Sequence, residues 1–147
     1  MLNLDMGKQK KAYEPEEDIP AYVSEPEMLY AVRKNSVTTE YLGRLKDISG
    51  LKDETLSTSL NLSIKTFRNY KMTSSTMKPH LQEHVLALIS LYKHGISLFG
   101  NQKQFNEWLT KSNHFFDNDQ PINFFTTISG IRYVDDRLTA IEYGDNV

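Results

Sequence analysis

Between Leu81 and Phe99 the apolar residues Leu81, Val85, Leu88, Tyr92, Ile96 and Phe99 recur at steps of three and four, bracketed by Pro79 and Gly100. Steps of that size put side chains on one face of an α-helix, a proline suits the first helical turn and a glycine suits the stop. The spacing predicts one long helix joining what lies before it to what lies after it. Gly95 inside the run predicts a bend or frayed turn, with a break near His94. No segment alternates at period two for long, so the sequence predicts an all-α fold without internal repeats.

Composition narrows the function classes. With 147 residues and 39% hydrophobic content the chain has room for one unit or two small ones sharing a core. The absence of cysteine removes disulfides, thiolate metal sites and a cysteine nucleophile together. No apolar run approaches the roughly 20 residues of a membrane span, and the opening MLNLDMGKQKK has no apolar core behind its lysines. Neither membrane insertion nor export is expected, and the expected location is the cytoplasm. A net charge of −2 argues against general nucleic-acid coating, which leaves the distribution of charge as the informative quantity.

Four units are expected. Residues 1–25 read as a flexible arm, with Lys8, Lys10 and Lys11 followed by Glu14, Glu16, Glu17 and Asp18 and no apolar period. Residues 26–78 hold short helices, residues 79–99 the connecting helix, and residues 100–147 a small helical domain. In the second unit Met28, Leu29 and Val32 share one face, and Tyr41, Leu42, Leu45 and Ile48 share the next, closed by Gly50. In the last unit Phe105, Trp108 and Leu109 mark a short amphipathic helix. Pro121 opens another, carrying Ile122, Phe124, Phe125 and Ile128 to a stop at Gly130, before a final stripe of Ile131, Val134, Leu138 and Ile141.

The segment from Asp53 to Lys71 divides at a tight turn. Leu56 and Leu60 lie four apart behind Asp53, a candidate cap. Asn61 tolerates the left-handed conformation such a turn needs, Leu62 can plug the angle, and Ser63 can cap a second helix with Ile64 and Phe67 inward. This is a helix-turn-helix layout. No acidic residue lies between Glu54 and Glu83, whereas Lys65, Arg68, Lys71 and Lys78 do. Ser63, Lys65, Thr66, Arg68, Asn69 and Lys71 are therefore the candidate DNA contacts, with Arg68 suited to guanine and Asn69 to adenine, and Thr73 to Thr76 placed to meet the backbone. One such unit makes few phosphate contacts, so a dimer on a palindromic operator with half-sites roughly 34 Å apart is expected. The competing reading is a solvated face of an ordinary helical bundle.

Signals for catalysis are weak. His80 to His84 spell H-x-x-E-H, a zinc spacing, but the third ligand and a cleft are missing, and two polar positions near the start of a helix explain it better. Asp117, Asn118 and Asp119 resemble a calcium-loop fragment without its glycine and final glutamate, so a turn is expected. Asp135 and Asp136 are adjacent and diverge on a helix. No catalytic residue, metal ligand or cofactor site is assigned, and the chain reads as a non-enzyme.

The carboxy-terminal part is rich in aromatics: Phe99, Phe105, Trp108, Phe115, Phe116, Phe124, Phe125, Tyr133 and Tyr143. A unit of about 50 residues cannot easily bury them all, and each buried one stabilises by about 1.5–3 kcal/mol, so self-association or a partner is expected. Phe99 and Trp108 are candidates for dimer or core packing.

The order of Phe99-Gly100, Trp108-Leu109, Pro121-Ile122, Gly130, Val134, Leu138, Ile141-Glu142 and Gly144 resembles the toxin-binding domain of the Xre/MbcA/ParS antitoxins, and the segment before it resembles their Xre-like helix-turn-helix domain. Together the resemblance covers about Thr38 to Gly144. It implies a cytoplasmic, homodimeric antitoxin with two partners, a RES-domain toxin that consumes NAD and the operator DNA of its own operon. It also implies that the last helix and tail cover the toxin's NAD pocket, with Arg132, Arg137, Glu142, Tyr143, Gly144, Asp145, Asn146 and Val147 as contacts. The sequence departs from the pattern at Phe105, where alanine is common, at Phe124 and Phe125, where leucines are usual, and at Ala140, where arginine often precedes the Ile-Glu pair. The alternative is a stand-alone transcription regulator whose carboxy-terminal domain serves dimerisation.

Overall fold

The computed structural model describes residues 25–34 and 37–147. The arm expected over residues 1–25 lies outside them except for its last residue, as does the side chain of Met28. The described residues form α1 (Glu25–Arg33), α2 (Glu40–Ser49), α3 (Asp53–Ser59), α4 (Ile64–Met72), α5 (Pro79–Phe99), α6 (Gln102–Leu109) and α7 (Ile128–Glu142), with two 3-10 turns at His114–Phe116 and Pro121–Phe124. The fold is all-α, with no strand among the described residues and only two isolated bridges, Thr38 with Thr76 and Asn113 with Asp119. None of the described helices is long and apolar enough to cross a membrane.

The central element is α5, against which α1, α2, α6 and α7 all pack. Its expected stripe is buried at Leu81, Val85, Leu88 and Tyr92, but Leu86, Ala87, Ile89 and Leu91 are buried as well. A helix enclosed on several sides carries apolar groups all round rather than in one stripe. It runs unbroken to Gly100, which caps it at a φ of +98°. The expected break near His94 is absent because Gly95 serves packing instead. The Phe105 ring of α6 lies 2.2–2.4 Å from where a Cβ on residue 95 would stand.

The same contact accounts for a bulky Phe105. Around it Phe99, Phe105 and Trp108 pack with ring centroids 5.5–6.2 Å apart, and Tyr92 meets Phe105 edge-on at 5.0 Å. Phe105, Phe116 and Phe125 are fully buried, and of the nine carboxy-terminal aromatics only Tyr133 and Tyr143 are exposed. The aromatic surplus thus finds cover within the chain, because α5 supplies a wall that a 50-residue unit would lack. Phe99 and Trp108 belong to this intrachain core.

Polar links join the two sides of α5. Gln102 Nε2 donates to the carbonyls of Asp47 and Ile48 at 3.0 and 2.9 Å, and Asn106 Nδ2 donates to Ser49 O at 2.8 Å while its Oδ1 accepts from Tyr92 Oη at 2.7 Å. These bonds satisfy carbonyls that the end of α2 leaves without helical partners.

Two expectations about the helices are corrected, one of extent and one of facing. Ile122 to Ile128 is not one helix stopped by Gly130; it is a 3-10 turn, a link and the start of α7. Thr127 caps α7 by accepting from Gly130 N at 2.9 Å, and the Phe124 carbonyl lies 2.0 Å from where a residue-130 Cβ would be. Glycine is therefore required for close approach, not for termination. In α1, Leu29 was expected to face inward, but it is 47% exposed, while Ala31 and Val32 are half-buried and Ala31 packs on the core.

Candidate partner-binding and nucleic-acid surfaces

The first surface is built on α3, the turn after it and α4. Asn61 turns the chain at φ +59°, Leu62 packs against the core, and Ser63 Oγ accepts from Thr66 N at 3.0 Å. The short capped helix that follows buries Phe67 completely and leaves Lys65, Arg68 and Asn69 exposed. Ser63 itself is exposed and Thr66 half-buried, both occupied in the cap.

Asp53 does not cap α3 through its side chain. Lys52 holds the cap position, and the Asp53 carboxylate instead accepts from Lys46 Nζ at 2.6 Å, Lys71 Nζ at 3.1 Å and Arg68 Nε at 3.2 Å. The bond from Lys46 chiefly, then those from Lys71 and Arg68, hold its carboxyl well below the usual range against the opposing effect of burial. Two of the candidate DNA contacts are thus held from beneath by one carboxylate, which sequence spacing alone did not reveal. Lys65 has no part in this cluster.

The polar stretch after α4 also has internal partners. Thr39 Oγ1 donates to the Thr73 carbonyl and accepts from Ser75 N at 3.0 Å, while Ser74 Oγ lies 3.4 Å from Glu40 Oε2. Thr73 to Ser75 are therefore pinned to the start of α2, which leaves their exposed faces for any further contact.

The second surface is the end of α7 and the tail. Leu138 and Val134 are buried and Ile141 half-buried, as the stripe requires, whereas Tyr143 is 83% exposed. The Arg137 guanidinium lies over the Phe115 ring at 3.4 Å, donates through Nη1 to Asp145 Oδ2 at 3.2 Å and through Nη2 to the Asn146 carbonyl. Val147 O accepts from Trp108 Nε1 at 3.4 Å. Arg137, Asp145, Asn146 and Val147 are thereby brought together, with Gly144 making the reversal at φ +102°. Arg132 stands apart from this group. Five residues along a helix rotate a side chain by about 140° relative to Arg137.

Glu142 is tied inward. His94 Nδ1 lies 2.7 Å from Asp135 Oδ1, and His94 Nε2 lies 3.0 Å from Glu142 Oε1. With a carboxylate at each ring nitrogen both nitrogens act as donors, so the imidazolium is the favoured form. The bond to Asp135 raises the His94 pKa, burial opposes it, and Glu142 adds to the rise. The available signal was Asp135 itself, since it sits four residues after Ile131 and three before Leu138 on the apolar side of α7, and a buried carboxylate demands a partner. Which element supplied that partner was not readable.

The histidines of H-x-x-E-H part company. His80 is exposed, whereas buried His84 donates from Nε2 to the Phe125 carbonyl at 2.7 Å. Burial lowers the His84 pKa, so this side chain is a neutral tether between α5 and the link before α7. Asp117 and Asn118 form the expected turn, both at positive φ.

Residues 94–144, about a third of the chain, match the family model described as the antitoxin Xre/MbcA/ParS C-terminal toxin-binding domain. None of the curated proteins searched matches the chain. The matched segment begins at His94 within α5 and ends at Gly144, so it takes in the histidine clasp, α6 and all of α7. This match supports an antitoxin assignment, with a toxin as the partner of the carboxy-terminal segment.

Proposed function

We propose that the chain is the antitoxin of a type II toxin–antitoxin pair. The toxin is of the RES type and degrades NAD, and the end of α7 with the tail after it neutralises the toxin by covering its active site. The observation that carries this reading is the match over residues 94–144, which ends on the exposed residues Glu142, Tyr143 and Gly144. Neutralisation of this kind is steric and electrostatic, so Tyr143, Gly144, Asp145, Asn146 and Val147 act as contacts, with Arg137 positioning the tail and Arg132 meeting the toxin from another face of α7. Glu142 holds the last turn of α7 in place through His94.

A second activity is repression of the antitoxin's own operon. Lys65, Arg68, Asn69 and Lys71 of α4 approach the DNA, and a homodimer supplies two such helices to a palindromic operator. The units before and after α5 divide the work, DNA at residues 26–78 and toxin at residues 100–147, in a cytoplasmic protein. Co-expression with the adjacent reading frame tests the main reading. Co-purification of a small partner whose NAD consumption is suppressed by the full chain, and restored by removal of residues 143–147, is expected. An active partner unaffected by the full chain would refute it.

A further inference from the structure

The segment after Gly144 does not project from the fold. Gly144 N donates to Ile141 O at 2.9 Å and Asp145 N to Ala140 O at 3.0 Å, so the chain turns back at the end of α7. Past the turn, Asp145 and Asn146 meet the Arg137 guanidinium and Val147 meets the Trp108 indole N–H. Val147 also forms part of the wall of a cleft of about 420 Å³, lined on its other sides by Phe99, Trp108, Lys111, His114 and Phe115 among others.

The receiving side of these contacts is held by the folded domain. The Arg137 side chain is only 11% exposed, its guanidinium plane is fixed on Phe115, and Trp108 is packed among Phe99, Phe105 and Phe116. A cation, an indole donor and an aromatic wall in this order fit a short peptide with an acidic residue first and an apolar residue last. Arg137 Nε, buried, keeps no hydrogen-bond partner in the structure, so the bound tail leaves one donor unused.

We propose that Arg137, stacked on Phe115, and Trp108, at the edge of this cleft, form a peptide-binding site whose ligand is the chain's own Asp145–Asn146–Val147 segment, and that the free protein holds its tail latched there. Resting on the proposed function, the latch has a consequence for the toxin: it must draw the tail out of this site before it can take it. One partly exposed ion pair and two hydrogen bonds favour the latched form by about tenfold, weak enough for a partner to displace.

The test needs no toxin. The sequence holds one tryptophan, Trp108, so its fluorescence and its quenching by acrylamide report directly on the cleft. Removing residues 145–147 is expected to raise the quenching constant about twofold through local exposure. Asp145→Asn, which keeps the tail's length and loses the ion pair, is expected to fall between. A synthetic acetyl-Asp-Asn-Val peptide at the millimolar concentrations that a short tether imposes should return the truncated chain towards the full-length value. Far-UV circular dichroism should be the same for all three chains. Equal quenching constants in the full and truncated chains, or no response to the peptide, would overturn the latch. Toxin neutralisation by the same chains is scored separately, so a failure of the antitoxin reading leaves the quenching result intact, and the reverse.

Discussion

His94 Nδ1 lies 2.7 Å from Asp135 Oδ1 in the interior, and the opposite ring nitrogen of His94 reaches Glu142 at the end of the same helix. The contact joins α5 to α7 at Asp135 and Glu142, about two turns apart, and so sets where the exposed last turn of α7 stands. Breaking a buried charged pair by removing one partner costs about 3–5 kcal/mol, and His94→Gln is expected to fall near the lower figure because Glu142 is partly solvated. Urea unfolding measures this directly.

The pH dependence of that difference follows from the raised His94 pKa. The stability it adds is fully present below the unfolded value of about 6.5 and is lost as pH rises through the folded value. The gap between wild type and His94→Gln should therefore be widest at about pH 6.5 and just below it, and narrow as pH rises through the raised folded value. His84, whose pKa is lowered, acts in the opposite sense: its contribution is present above the unfolded value and lost as pH falls. Comparing the two chains at each pH cancels His84, which both retain. A gap that widened with rising pH would show that His94 is neutral in the fold.

Asp53 organises Lys46, Arg68 and Lys71. Partly exposed pairs are each worth at most about 1 kcal/mol, so Asp53→Asn should lower unfolding stability by about 1–2 kcal/mol. It also removes a negative charge beneath α4, so non-specific DNA affinity at low salt should rise severalfold in a filter or anisotropy assay. Weaker DNA binding by this variant would mean that Asp53 orients the two cations for contact rather than restraining them.

Replacing Lys65 and Arg68 together by alanine removes two cations from the candidate DNA face. If both meet phosphates, the slope of log affinity against log salt should fall by about 2 units. An unchanged slope would remove α4 from the interface, since the two exposed side chains would then be surface charges.

Gly95→Ala sets two known effects against each other. Alanine favours an exposed helix interior over glycine by about 1 kcal/mol, but here its Cβ meets the Phe105 ring. Overpacking of a filled core costs about 1–3 kcal/mol, so a net loss of thermal stability is expected. Phe105→Leu in the same chain should recover part of it, because residues in contact are not additive.

Much of the framework was legible in the sequence. The caps at Ser63 and Gly50, the left-handed Asn61, the start at Pro79 and the stripe Ile131, Val134 and Leu138 all rest on local rules, and local rules are readable one segment at a time. The readings of Gly95 and Gly130 as a break and a stop went wrong for one reason. Both residues make room for a group from elsewhere, Phe105 and the Phe124 carbonyl, and a glycine required by tertiary approach looks the same in sequence as one required by a turn.

By itself, then, the sequence determined an all-α chain with a long central helix, one locally basic helix and an aromatic-rich end, because periodicity, capping and charge are properties of neighbouring residues. Only the tertiary structure decided that Asp53 gathers the cations of that helix, that His94 clasps both Asp135 and Glu142, and that Arg137 and Trp108 hold the tail. Those partners are 7 to 48 residues apart. Most are joined only when helices pack, and which charges then face one another depends on packing geometry that no local pattern encodes.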